Sequence, residues 1–217
     1  AALVWSPDGS NLAIKCGTSI AGSLDVLEVR SGRVLHHLAT IGGCAWSPDG
    51  SRLVFGLRRR LDKPISLETG DSISLAVLDI GQAEPRTILE GTSQALYLPK
   101  AWLPDGRVLY QRLDWDESAQ TGEWTLWTVS LRDGAGDPEP AHDLPLAYDT
   151  PALLARLPGE FQDPATTAEF SWSSEGRWVV FRAGPCPPCG IYLYDTLHGG
   201  PALRVADGTS PAWRPER

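Results

Sequence analysis

Thiols, guanidinium groups and carboxylates are the side chains of this chain that could do chemistry, and each occurs in a distinctive spacing. Cys186-Pro187-Pro188-Cys189 is the one close pair of thiols, whereas Cys16 and Cys44 stand apart. A Cys-x-x-Cys pair can close a local disulfide, supply half the ligands of a structural zinc, or work as a redox dithiol. The zinc reading must recruit Cys16 and Cys44, the only other thiols, and the redox reading needs a helix N-terminus that this proline-rich segment does not predict. Arg58-Arg59-Arg60 with Lys63 is the single basic run. Guanidinium forks grip carboxylates and phosphates bidentately, so the run is a candidate for an acidic peptide, a carboxylate or a phosphate. Its alternative is a solvated loop neutralised by Asp114, Asp116 and Glu117. Asp114-Trp115-Asp116-Glu117-Ser118 spaces its carboxylates like a calcium loop but lacks that loop's glycine and terminal glutamate, so no metal is expected. Trp115, in the same stretch, is the tryptophan best placed to touch a partner. His36 and His37 are neighbours in an expected strand, which points their rings to opposite faces. No nucleophile elbow, phosphate loop or His-Glu-x-x-His motif occurs, and most aspartates sit in turns. The expectation is a protein that is not an enzyme and holds neither cofactor nor metal.

The elements that position these groups follow from a repeat. Trp5-Ser6-Pro7-Asp8-Gly9 recurs as Trp46-Ser47-Pro48-Asp49-Gly50 and Trp102-Leu103-Pro104-Asp105-Gly106. It decays to Trp172-Ser173-Ser174-Glu175-Gly176, with a stub at Trp213-Arg214-Pro215. The tryptophans are 41, 56, 70 and 41 residues apart. Proline presets φ, aspartate bonds its own backbone, and glycine accepts positive φ, so each copy is a tight β-turn. Alternating apolar residues follow each turn: Leu12 and Ile14, Leu53 and Phe55, Val108 and Tyr110, Val179 and Phe181. The turn therefore joins an inner strand A, ending at the Trp, to a strand B. Strand C reads Leu24–Val29, Ile73–Asp79, Trp124–Leu131 and Ile191–Asp195. Strand D reads Arg33–Leu38, Arg86–Leu89, a weak segment near Ala152–Leu157, and Ala202–Val205. No segment carries a sustained helical period. Four antiparallel strands per unit of about 40 residues describe an all-β fold of β-propeller blades.

The Trp-Ser-Pro-Asp-Gly turn, together with strands such as Ile191-Tyr192-Leu193-Tyr194-Asp195, resembles the WD-repeat-like propellers of TolB-type proteins over nearly the whole chain. The resemblance implies a single propeller, or propeller fragment, over residues 1–217, with blades starting near Leu3, Cys44, Lys100 and Phe170. Such propellers usually have six blades. They serve as periplasmic partner-docking domains, sensor ectodomains and the non-catalytic lids of serine peptidases. A fifth inner strand at Ala212–Trp213 is surplus to four blades. Three readings stay open: a fragment of a larger ring, a four-bladed ring with a spare end, or a strand that pairs with the next molecule to give a homo-oligomer or filament.

Composition narrows the partners. The 217 residues carry 27 acidic and 19 basic side chains, a formal charge of −8, which argues against nucleic acid. No apolar run is long enough to span a bilayer as a helix, so no direct membrane insertion is expected in this segment. The chain starts Ala1-Ala2-Leu3 and contains no Met, which reads as processing or excision from something longer. Strand order places the B–C and D–A loops at one end of the blades. Arg58–Ser72, Asp114–Gly122 and Pro158–Thr167 lie at that end, and Gly134–Leu146 at the other. The B–C end is thus the expected surface for a protein or peptide, with Arg58, Arg59, Arg60, Lys63, Asp114, Trp115 and Asp116 as contacts. Cys16 and Cys44 fall at the same end of neighbouring blades and are candidates for one disulfide; Cys186 and Cys189 are candidates for another. Disulfides would suit an extracellular, cell-surface or periplasmic location. The expected function is a non-catalytic, extracytoplasmic binding or assembly module. The alternative is the propeller part of a serine peptidase or other hydrolase.

Overall fold

The structure, a computed structural model, describes residues 2–17, 22–58, 72–116, 118, 121–131, 136–142, 144, 146–173, 177–184, 189–208 and 211. The chain divides into two compact units, Ala1–His142 and Asp143–Glu216.

The first unit opens with a seven-stranded antiparallel sheet whose strands lie in chain order: β1 (Ala2–Trp5), β2 (Asn11–Gly17), β3 (Gly22–Glu28), β4 (Arg33–Trp46), β5 (Arg52–Arg58), β6 (Ile73–Asp79) and β7 (Arg86–Leu89). A four-stranded sheet follows, formed by β8 (Ala95–Trp102), β9 (Arg107–Asp116), β10 (Thr121–Ser130) and the two-residue β11 (Glu139–Pro140). The expected strands D of the first blade and A of the second are one continuous strand, β4. It bulges between Ile41 and Cys44, where Gly42 takes φ 75°. The first half of β4 therefore closes one meander against β3, and its second half opens the next against β5.

Two larger cores and a small cluster of Ile41, Ile73, Leu96 and Leu113 hold these meanders together. Ala13, Leu24 and Val26 of the first meet Trp46, Leu53, Phe55, Ala76 and Leu78 of the second. Val54, Leu75 and Val77, from the other face of β5 and β6, meet Trp102, Val108, Tyr110, Val129 and Leu131. Leu53-Val54-Phe55 and Leu75-Ala76-Val77-Leu78 are thus buried on both faces, so the middle strands read as unbroken apolar runs rather than as the expected alternation. A fully buried side chain such as Phe55 contributes about 2–3 kcal/mol through its removal from water. Trp46 adds a polar tie between neighbouring meanders, its indole Nε1 donating to the Val4 carbonyl (2.9 Å).

The repeated turn explains its own sequence. Ser6 Oγ donates to Asp8 Oδ1 (2.6 Å) and accepts from Asn11 N (2.9 Å), while Asp8 Oδ1 also caps Ser10 N (3.1 Å). The second copy repeats this with Ser47, Asp49, Arg52 and Ser51. In the third copy Leu103 replaces serine, and the turn is one residue shorter. Leu103 N reaches Arg107 O (2.7 Å), and Asp105 Oδ1 itself caps Arg107 N (3.0 Å), so no hydroxyl is required.

In the second unit, β12 (Thr167–Trp172), β13 (Trp178–Ala183), β14 (Gly190–Asp195) and β15 (Leu203–Asp207) form a four-stranded meander. The expected strand near Ala152–Leu157 is instead a helix, α1 (Thr150–Arg156), and β11 takes the strand position that follows β10. Local sequence favours the helix. Asp149 caps it by accepting from Ala152 N (3.0 Å), proline sits in its first turn, and Leu153 and Leu154 supply its buried side. Leu153, Leu154, Leu157 and Phe161 pack on Val179, Phe181, Ala183 and Tyr194 of the sheet, and Tyr194 Oη donates to the Arg156 carbonyl (2.8 Å). Phe181 stands at the centre of an aromatic group with Phe161, Phe170 and Tyr192. No helix among the described residues is long and apolar enough to cross a membrane.

Candidate interaction site

The expected insertion Asp114–Gly122 is largely strand. β9 runs on to Asp116 and β10 begins at Thr121, pairing without interruption from Thr121↔Asp116 to Ser130↔Arg107. The result is a long hairpin at the B–C end. β8 supports the inner side of β9 from Ala95↔Asp114 to Trp102↔Val108, and Trp115 N bonds the Gln94 carbonyl (2.9 Å). On the other side β11 meets β10 only at Trp127 and Thr128, and Ala141 N bonds the Leu126 carbonyl (2.9 Å). Among the described residues, the outer edge of Thr121–Thr125 has no strand partner.

Register sorts the hairpin's side chains onto two faces. Trp115 lies opposite Gly122, Trp124 opposite Leu113, and Leu126 opposite Gln111, so the two indoles and Leu126 share one face. Gly122 is required there. A Cβ on it would stand 2.9 Å from Trp115 Cε3 and 2.7 Å from Leu113 Cδ1, so the Trp115 ring lies across bare backbone. Trp124 is 47% and Leu126 37% exposed, while Trp115 is half-buried. The opposite face carries Asp114 directly across from Glu123, then Arg112 across from Thr125. Arg112 binds Asp114 Oδ1 through Nε (2.8 Å) and Nη2 (2.7 Å) and lies over the Trp127 ring, 5.1 Å from its centroid. Asp116 accepts from Ser118 N (2.8 Å) and Oγ (2.6 Å).

The other expected contacts divide. Arg58 is not in a solvated loop: it ends β5 opposite Ile73 and is 4% exposed, so its side chain is part of the interior. Arg59, Arg60 and Lys63 lie outside the described residues, as does Glu117. Asp114 pairs with Arg112, two residues back along β9. Trp124 is the surface residue that sequence reasoning passed over. Its signal was available: it is a tryptophan that is not a repeat marker and lies in a strand beside an inserted hairpin.

The expected Cys16–Cys44 disulfide does not form, and both are free thiols. Cys16 pairs with Ser23, Ser23 pairs with Ala39, and Cys44 lies five residues further along β4, beyond the bulge. Two strand spacings, about 10 Å, already exceed the roughly 7 Å between Cα atoms that a disulfide spans. Burial pushes the Cys44 thiol up to about 12, whereas Cys16 is exposed. Cys189 is buried and is not among the free thiols; Cys186 lies outside the described residues. His36 Nε2 contacts the Ile80 carbonyl (3.3 Å) and His37 pairs with Asp25, so the two rings have separate partners. A polar cluster of the second unit is a turn lock. Asp195 accepts from Arg177 Nη2 (2.6 Å) and Nε (3.0 Å) and contacts His198 Nδ1 (2.9 Å), and the Arg177 guanidinium above all holds its carboxyl well below the usual range. Among the described residues no group of three or more His, Cys, Asp or Glu side chains is placed to hold a metal.

No protein-family model matches the chain, and no curated protein matches it in sequence. Solved structures do match. TolB from Acinetobacter baumannii aligns over 96% of this chain and 45% of its own length at 13% identity, with a TM-score of 0.43. The β-propeller domain of the Trilobed protease from Pyrococcus furiosus aligns over 96% and 56% at 11% identity, TM-score 0.41. Acylaminoacyl peptidase from Pyrococcus horikoshii aligns over 96% and 38% at 14% identity, TM-score 0.58. The structural neighbours are thus TolB and other β-propeller proteins. At such identities the likeness is one of fold alone: the chain is an all-β protein of antiparallel sheets whose solved neighbours are β-propeller proteins. It spans about half the length of the structures first matched.

Proposed function

We propose that the chain is a non-catalytic propeller module that binds a protein or peptide outside the cytoplasm, through the B–C end and with the β9–β10 hairpin as its contact surface. The observation that carries this reading is the exposed pair Trp124 and Leu126, beside Trp115, along a strand edge with no described partner. Aromatic side chains on a rigid strand bring large contact area with little entropy to lose, which is why they dominate interface energetics. In this proposal Arg59, Arg60 and Lys63 take acidic groups of the partner, apart from the acidic β9–β10 edge. Cys186 and Cys189 form the local disulfide of an oxidising compartment, extracellular, cell-surface or periplasmic. The blade plan is four blades and one surplus inner strand, Ala212–Trp213, which offers a route to head-to-tail self-association. The test is a photo-reactive phenylalanine analogue placed at Trp124 or, at the opposite end, at Gln82 in the β6–β7 turn. A covalent adduct from position 124 and none from 82 is expected; equal labelling from both positions would remove the hairpin as the contact surface.

A second reading is favoured by the peptidase neighbour with a TM-score of 0.58, of which this chain spans 38%. The propeller would then be the lid or companion domain of a hydrolase. A nucleophile elbow in the adjoining coding sequence, with peptidase activity in the protein that carries both parts, is what that reading requires.

A further inference from the structure

The geometry points to a particular occupant of the β10 edge: an extended peptide, added as one more strand, in which apolar and basic side chains alternate. The inference rests on the reading of the β9–β10 hairpin as the contact surface and deepens it by naming the partner's chemistry.

Strand addition needs a row of free backbone groups, and Thr121–Thr125, which has no strand partner among the described residues, offers five residues of edge, about 17 Å at strand rise. An added strand would send successive side chains to opposite faces, and the two faces here differ in chemistry. One carries Trp115, Trp124 and Leu126, and apolar side chains of the guest would lie against them. The other carries Asp114 and Glu123 directly opposite each other, an arrangement in which like charges repel. Arg112 answers Asp114, whereas Glu123 makes no ion pair among the described residues. A basic side chain arriving on that face would meet Glu123 and relieve the repulsion. The hairpin's described charges sum to an acidic margin within a protein of net charge −8, which attracts the same kind of guest from a distance.

The same charges disfavour a second copy of this chain. Two β10 edges pairing with each other would bring two Glu123 carboxylates into one short ladder, with no described cation between them. Natural sheets use such edge charges to avoid self-pairing, and here the sign of the charge selects the guest.

The test uses fluorescein-labelled heptapeptides and fluorescence anisotropy with the whole chain. The probe is Val-Lys-Val-Lys-Val-Lys-Val, and the controls are the same residues in two blocks, the alternating probe with N-methylated valines, and a valine–glutamate alternation. The alternating basic probe should bind about tenfold tighter than each control, and Trp124→Ala or Glu123→Lys should each cost about tenfold with the circular dichroism unchanged. Equal binding of the blocked peptide would mean charge alone, and equal binding of the N-methylated peptide would exclude strand addition; either overturns the inference, as does no binding at all. A concentration-dependent dimer lost in Trp124→Ala would make a second copy the occupant instead. If the crosslinker at position 124 captures a protein that the alternating probe does not displace, the contact surface stands and this occupant falls. If neither capture nor peptide binding occurs, both fall together.

Discussion

Replacing Ser47 with alanine separates a structural role for the repeated turn from mere turn propensity. Ser47 is fully buried, and its Oγ both donates to Asp49 Oδ1 (2.5 Å) and accepts from Arg52 N (2.9 Å). Alanine keeps the backbone bond from Ser47 N to the Arg52 carbonyl (2.8 Å) but leaves the Arg52 N–H without an acceptor. An orphaned N–H costs about 1–3 kcal/mol. Asp49 is exposed, so water replaces most of what its carboxylate loses. The expected destabilisation is about 2 kcal/mol, a fall of roughly 4–8 °C in Tm for a chain of this size. A second readout comes from acid. Ser47 Oγ first, then Ser51, hold the Asp49 carboxyl at about 2, below its ordinary value. A depressed carboxyl contributes stability that is fully present above its unfolded value, about 4, and lost as pH falls through about 2. Ser47→Ala should therefore lose less stability than the wild type between pH 4 and 2, despite starting lower. Urea unfolding followed by circular dichroism across that range measures both effects. A variant within about 0.5 kcal/mol of wild type, or one with an unchanged acid profile, would refute the assignment of Ser47 as the acceptor the turn requires.

Three further outcomes are expected. Gly122→Val puts a side chain where Leu113 and Trp115 already lie, so it should displace the Trp115 ring, shift indole emission to the red and cost about 1–3 kcal/mol by thermal melting. Asp149→Ala removes the acceptor for Ala152 N and should lower the stability of the second unit by about 1 kcal/mol, measured by hydrogen exchange over Leu153–Leu157. Native alkylation read by mass spectrometry should modify Cys16 quickly and Cys44 slowly, because Cys44 is shielded and its thiol is pushed up to about 12; equal rates would contradict the packing of Cys44 into the first core.

Legibility in the sequence followed the reach of each interaction. The turns were readable because Pro, Asp and Gly each act within four residues, and the Trp-to-Trp spacing then ordered the strands. The third strand D was misread because the segment Thr150–Arg156 is apolar and proline-bordered, which a short strand shares with a capped first turn of helix. Its capping residue, Asp149, was the local clue. Arg58 was misread because a basic residue at the head of Arg-Arg-Arg suggests solvent, whereas pairing with Ile73 draws it inside. The Cys16–Cys44 bridge failed for the opposite reason: both strand ends share a side of the fold, but strand spacing, invisible in one dimension, keeps them apart.

By itself, then, the sequence determined the turn chemistry, the up-and-down strand order and the all-β class, because these depend on backbone preferences and on side-chain period. Only the tertiary structure decided that β4 serves two meanders and that the middle strands are buried on both faces. It alone also set Trp115 and Trp124 on one face of a strand edge that has no partner among the described residues, and two carboxylates on the other face. Those outcomes depend on cross-strand register and on what packs against each face, and both are set by residues far apart in the chain.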